Sequence, residues 1–271
     1  MTVPAPPPPS VAETPAVVAG LLNGRIETPD PEGGGVRETA EFLNGLLNGE
    51  VCQFENGQVV RKLTYVAGLP QGPATFYAAG RPVQHAQFLA GRLEGPSEIL
   101  DPAGRVTVAM HYRLGVLQGP LRTYQEGILT MEALFVAGVQ EGPATCYDPR
   151  GRIVSVTPYH GGQRYGEARY FSPDGALIRS ETYLRDHLEG PTTDYAPSGR
   201  LRSRAFYHKG ELHGETTLYD EHEKVIQRRV YHEGKVVLVN GKPVAASGKP
   251  VAAGAAAPAV TPPSPSPGGR S

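Results

Sequence analysis

The sequence predicts an all-β fold, an elongated repeat array of antiparallel β-hairpins in which each hairpin stacks on the last. Three observations carry this expectation. A glycine recurs at Gly49, Gly72, Gly95, Gly119, Gly142, Gly166, Gly190 and Gly214, always 23 or 24 residues after the last. Seven residues before each stands an aromatic residue: Phe42, Tyr65, Phe88, Tyr112, Phe135, Tyr159, Tyr183 and Tyr207, with Tyr231 continuing the series. Between these landmarks the residues alternate with a period of two, as in Val59, Arg61, Leu63 and Tyr65, which is the period of a strand.

The turns follow from the remaining glycines. One stands four residues before each anchor glycine, at Gly45, Gly68, Gly91, Gly115, Gly138, Gly162 and Gly210, with Asp186 as the exception. Another, at Gly57, Gly80, Gly104, Gly127, Gly151, Gly175 and Gly199, always lies fifteen residues before the next anchor. The one-residue variation in repeat length therefore falls just before this second glycine, and length variation belongs in turns. The longer repeats read Asp148-Pro149-Arg150-Gly151 or Ser172-Pro173-Asp174-Gly175, with proline at the second turn position and glycine where φ is positive. Each repeat is thus strand, turn, strand, turn, and no long helix is expected. A parallel β-helix of the same period is the rival, and the hairpin turns count against it.

Five residues past each anchor comes a second series: Phe54, Tyr77, Leu100, Tyr124, Tyr147, Phe171, Tyr195 and Tyr219. The two series are expected on paired strands as cross-strand aromatic contacts, each contributing about 0.2–1 kcal/mol. The array is expected over residues 17–237, opening with a degenerate cap in which Gly20-Leu21-Leu22-Asn23-Gly24 precedes Pro29. Residues 1–16 and 238–271 are rich in Pro, Ala, Gly and Ser. They bury too little to offset chain entropy and are expected to be disordered.

Composition narrows the function. The 271 residues include 34 Gly, 27 Pro and 13 Tyr but no Trp, and the net charge is -1. So small a charge exerts no whole-molecule pull on nucleic acid, and no nucleic-acid partner is expected. Residues 1–135 carry a net charge of -4 and residues 136–271 one of +3, so the C-terminal half is the anion-seeking one. Cys52 and Cys146 lie four repeats apart, about 38 Å at the strand spacing of a sheet, and are expected to be free thiols. The N-terminus has neither the basic stretch nor the apolar stretch of a secretory signal, and the expected compartment is the cytoplasm.

The paired Gly-x-x-x-Gly turns, the aromatic five residues on and the second aromatic before the next glycine resemble MORN repeats. The nearer likeness is to the bacterial MORN-repeat variant of the YwqK-type antitoxin family, and it spans roughly residues 17–237. The resemblance implies an elongated, MORN-like single-layer twisted sheet of antiparallel hairpins and a role in scaffolding or in neutralising a cognate toxin or effector. This chain departs from the better-known MORN pattern in having no Trp and in placing Pro or Glu after each anchor glycine.

No catalytic residue, cofactor or metal site is expected. The chain has no Gly-x-Ser-x-Gly elbow and no His-Glu-x-x-His motif. His208 and His213 flank one turn, but His208 and His232 stand two strands apart, about 9.5 Å, too far to share a metal. The candidate partner-binding residues are Arg179, Arg200, Arg202, Arg204 and Arg228. Arg200, Arg202 and Arg204 share parity and are expected on one face, with Arg179 and Arg228 extending the row. Forked hydrogen bonds from arginine suit carboxylate or phosphate. The expected function is a non-enzymatic protein-interaction module, an antitoxin, immunity protein or effector adaptor. It would bind a toxin or effector along a face or by strand addition. An anionic-lipid scaffold at a membrane surface is the alternative, and an enzyme the third.

Overall fold

The computed structural model describes residues 21–31 and 35–244. Among them every regular element is a strand and every pairing is antiparallel. The single array expected over 17–237 divides into two compact units, one ending at Gln140 and the other beginning at Glu141. In a repeat array each hairpin contacts mainly its neighbours, so such a division needs no second core. The tail expected at 1–16, and residues from 245 onward, lie outside the described residues. Residues 238–244 correct the other expectation: Leu238 and Val239 belong to the strand Lys235–Val239, which pairs with Lys242–Pro243.

The first unit runs through Gly24–Pro29, Val36–Leu43, Leu46–Glu55, Gln58–Val66, Leu69–Ala78 and Arg81–Leu89, and continues in the same manner to Val139–Gln140. The second begins with Gly142–Tyr147, Ile153–His160, Gly166–Phe171, Leu177–Leu184 and His187–Tyr195. It then passes through Leu201–His208, Gly214–Tyr219 and Val225–His232. Within each unit the long strands pair with their neighbours in sequence as a meander.

The turns between repeats are two-residue loops with both residues at positive φ, as at Asn44–Gly45 (51° and 80°) and Ala67–Gly68 (48° and 81°). This is the turn whose twist matches that of the flanking strands. The shorter repeats use it at their other end as well, at Asn56–Gly57. The longer repeats there use a wider turn. In it the Asp148 carboxylate accepts from the backbone N–H groups of Arg150 and Arg152, and Gly151 N–H closes on the Asp148 carbonyl. Glu223 fills the glycine position of the last such turn at φ 61° and keeps the same closing bond to Asp220.

Each hairpin carries a β-bulge beside that turn. Phe54 pairs with Val59 and Gln53 with Arg61, which leaves Val60 unpaired; Asp194 pairs with Ser203 and Tyr195 with Leu201, which leaves Arg202 unpaired. A bulge breaks the strict two-residue alternation of faces. The anchor glycines sit at a second irregularity, all at positive φ. Each lies directly opposite the aromatic residue of its hairpin, as Gly49 does Tyr65 and Gly190 does Tyr207. At Gly49 a side chain would also collide with Glu41, whose own Cβ lies 2.8 Å from where a Cβ would stand.

The two aromatic series do not face one another. The series before the anchors pairs with glycine at one end of the hairpin and on one face. The series after the anchors pairs with aliphatic residues at the other end and on the opposite face: Tyr77 with Pro82, Tyr147 with Ile153, Phe171 with Leu177. The expected aromatic cross-strand pairs are therefore aromatic–aliphatic and aromatic–glycine pairs. The bulge and the glycine irregularity set the register that separates them.

Candidate interaction surface

Directly paired residues share a face of a sheet, and successive residues alternate. On the core face of the first unit, Ala40, Val51, Leu63, Ala74 and Ala86 form one cross-strand row. Phe42, Tyr65 and Phe88 close over it, and all eight residues are buried. Leu63 is 2% exposed, and burying a leucine this fully contributes roughly 1.5–3 kcal/mol.

In the second unit the same row is polar in part, and Ala168 pairs with Glu181, which pairs with Thr192. Glu181 is a charged group where the pattern calls for a small apolar one, and it is 8% exposed. Its carboxylate accepts from Arg179 Nε at 2.6 Å, from the Tyr183 hydroxyl at 2.6 Å and from the Tyr170 hydroxyl at 2.9 Å. Burial pushes the Glu181 carboxyl up, but the bonds from Tyr183, Arg179 and Tyr170 outweigh it and leave the group below the ordinary glutamate value. Burial, then the Glu181 charge, raise both tyrosines. Arg179 also donates to Asp194 at 2.8 Å, and Asp194 in turn accepts from the Ser203 hydroxyl at 2.7 Å. The Arg164 guanidinium lies 4.2 Å over the Tyr183 ring. These groups satisfy one another, so the network binds the hairpins together and presents no unused acid or base.

The opposite face of the second unit carries a different row. Arg169 pairs with Ser180, Ser180 with Thr193, Thr193 with Arg204, Arg204 with Thr217 and Thr217 with Arg228. The three arginines are exposed, while Ser180, Thr193 and Thr217 between them are buried. The Arg204 guanidinium rests 5.0 Å over the Phe206 ring. Arg228 Nε approaches Glu215 at 3.7 Å, beyond hydrogen-bonding distance.

The structure therefore separates the arginines expected on one face. Arg204 and Arg228 share the row just described. Arg179 lies on the core face, where Glu181 and Asp194 hold it. Arg202 is the unpaired residue of its bulge and lines a shallow depression with Arg179, Asp194 and Ser203. The bulge cancels the parity with Arg204 that simple alternation implied. Arg200 lies in the turn and donates to the Glu221 carbonyl at 2.6 Å. Two residues escaped sequence reasoning. Arg169 stands three residues past its anchor glycine, as Thr193 and Thr217 do, so counting along the repeat would have found it. Glu181 had a signal too, since it alone of its cross-strand neighbours carries a charge in the buried row.

His213 lies between His208 and His232, with ring centroids 5.7 and 5.2 Å apart. Among the described residues no group of three or more His, Cys, Asp or Glu is arranged to hold a metal. Cys52 and Cys146 are free. Burial, then the neighbouring Glu50, push the Cys52 thiol up.

No protein-family model and no curated protein matches the sequence. Among solved structures, TcdB2–TccC3 matches at 13% identity over 79% of this chain and 15% of that chain, with a TM-score of 0.19. The Photorhabdus luminescens Tc holotoxin pore matches at 13% identity over 84% and 14%, with a TM-score of 0.16. This chain spans about one-seventh of the length of those chains, and likenesses this faint bear on neither its fold nor its function.

Proposed function

We propose that this chain is a non-enzymatic protein-interaction module of the MORN-variant kind, an antitoxin, immunity protein or effector adaptor, that binds its partner through an exposed sheet face. The observation that carries the reading is the contrast between the two faces of the second unit. On the core face the ionisable groups around Glu181 are internally paired. On the opposite face Arg169, Arg204 and Arg228 stand exposed on strands whose register is fixed by pairing on both sides. Arginine on a rigid support is a common anchor of protein interfaces, because its fork loses little freedom on binding.

The test is to isolate the full chain with what it binds in cells and rebuild the complex from purified components. A stoichiometric protein complex that persists at high salt supports the reading. Flotation of the chain with anionic vesicles that is lost at high salt, with no protein complex, would establish the membrane-surface alternative instead. Each basic residue near such a surface contributes about 1 kcal/mol, which salt screens.

A further inference from the structure

We infer that the partner presents an extended acidic segment to the row Arg169–Arg204–Arg228, running across the strands of the second unit. This rests on the protein-interaction reading above and adds the chemistry and spacing of what is bound. The row is continuous in register: Arg169, Ser180, Thr193, Arg204, Thr217 and Arg228 are successive cross-strand partners. Small hydroxyl residues fill every position between the arginines, so the guanidinium groups stand above a floor formed by buried Ser180, Thr193 and Thr217. The Phe206 ring under Arg204 holds the central guanidinium, which reduces the ordering cost of binding.

The acids nearby do not fill the row. Glu167 lies two residues before Arg169 on the same face, and Glu215 two before Thr217. Glu215 accepts a hydrogen bond from the Thr217 hydroxyl at 2.7 Å and only approaches Arg228. These two acids flank the row; Glu215 forms a loose ion pair with Arg228 at 3.7 Å, and the exposed guanidinium forks of Arg169 and Arg204 remain open to incoming carboxylates, which arginine binds in bidentate fashion.

Spacing selects the shape of the segment. Arg169 and Arg204 are three strand steps apart, about 14 Å, and Arg204 and Arg228 two steps, about 10 Å. An extended chain advances roughly 3.3 Å per residue and alternates its side chains between two faces, so acids at positions i, i+4 and i+8, all on one face, would meet the three arginines. A helix advances about 1.5 Å per residue and would need acids some nine and then six residues apart.

The test uses the full chain and a fluorescein-labelled peptide with glutamates at i, i+4 and i+8 in a Ser/Thr background, read by fluorescence anisotropy. Its comparators are a peptide with the same glutamates in one block and anionic vesicles. The spaced peptide should bind more tightly than the blocked one. The triple variant Arg169→Ala, Arg204→Ala, Arg228→Ala should weaken it at least tenfold, and Arg229→Ala, on the other face, should leave it unchanged. If the triple variant melts early, Arg204→Lys serves, since it keeps the charge and loses the fork; a severalfold loss is expected. Equal affinity for both peptides, unchanged binding by these variants, or capture by vesicles but not by the peptide would each overturn the inference. A stoichiometric protein complex that the triple variant still forms would overturn it while leaving the interaction-module reading standing. The absence of any protein complex would remove that reading itself.

Discussion

At the scale of single residues, the turns between repeats place side chains where L-residues are disfavoured. Ala67, Ala90, Leu114, Ala137, Arg185 and Lys209 all have φ between 48° and 52°. The left-handed region costs a non-glycine residue roughly 1–2 kcal/mol, and Asn less because its side chain bonds locally. The Asn–Gly turns at 44–45 and 56–57 were therefore legible as hairpin loops, but Leu-Gly and Lys-Gly carry no such signal. Leu114 gives the cleanest test, because its side chain is 60% exposed and leaves little packing to lose. Its backbone N–H donates to Glu94 at 2.7 Å, a bond any residue keeps. Leu114→Asn should raise stability by about 1 kcal/mol, read as a higher melting temperature. No change would mean that the neighbouring bonds already absorb the strain.

Between elements, one side chain in most repeats ties a hairpin to the next, and this explains how the strained turns persist. The residue before the anchor glycine accepts a hydrogen bond from the left-handed residue of the following turn. Asn23 takes it from Asn44, Asn48 from Ala67, Gln71 from Ala90, Gln118 from Ala137, Glu141 from Gly161 and Glu189 from Lys209. Tyr165 and His213 break the series: the Tyr165 ring is the wrong shape to accept there and packs against His160, and His213 packs against His208 and His232. At the Tyr165 rung Asp186 replaces the turn glycine. Its carboxylate accepts from the backbone N–H and the Nε of Arg164, so the side-chain tie starts from the turn. The two irregularities, read in the sequence as an isolated exception at Asp186, form one compensated pair. Asp186→Gly alone should lower the urea midpoint of the second unit, since its bonds to Arg164 are lost, with part of that loss offset because glycine relieves the positive φ of 69° at this position. Adding Tyr165→Gln should recover much of that loss by restoring the arrangement of the other repeats. A double-mutant cycle by urea unfolding measures the coupling, and strictly additive effects would dissociate the two positions.

For the molecule as a whole, the hairpin period, the glycine turns and the aromatic series were legible, because each recurs often enough for chance to be set aside. The assignment of faces was not, because it depends on bulges that no single hairpin announces. Arg202 and Arg204 share parity in the sequence, yet the unpaired Arg202 falls at the bulge and the row passes through Arg204 alone. The same regularity has a consequence for acid stability. Turn and tie carboxylates recur along the chain with lowered pKa values. Backbone bonds lead at Asp101, Asp220, Glu141 and Glu189, and the Arg152 side chain leads at Asp148. A carboxylate depressed in the fold contributes stability above its unfolded value, about 4, and loses it as pH falls through the folded value. Tyr65, Tyr112, Tyr170 and Tyr183 are raised, each with burial as the leading cause. They favour the fold while protonated and weaken it as pH climbs past about 10. The melting temperature followed by circular dichroism should therefore be level between about pH 5 and about pH 9 and fall on both sides. Because the acidic ties recur from repeat to repeat, the acid limb should be shallow and spread over more than one pH unit. A sharp single-proton transition in place of that broad limb would take the acid sensitivity away from the recurring carboxylates.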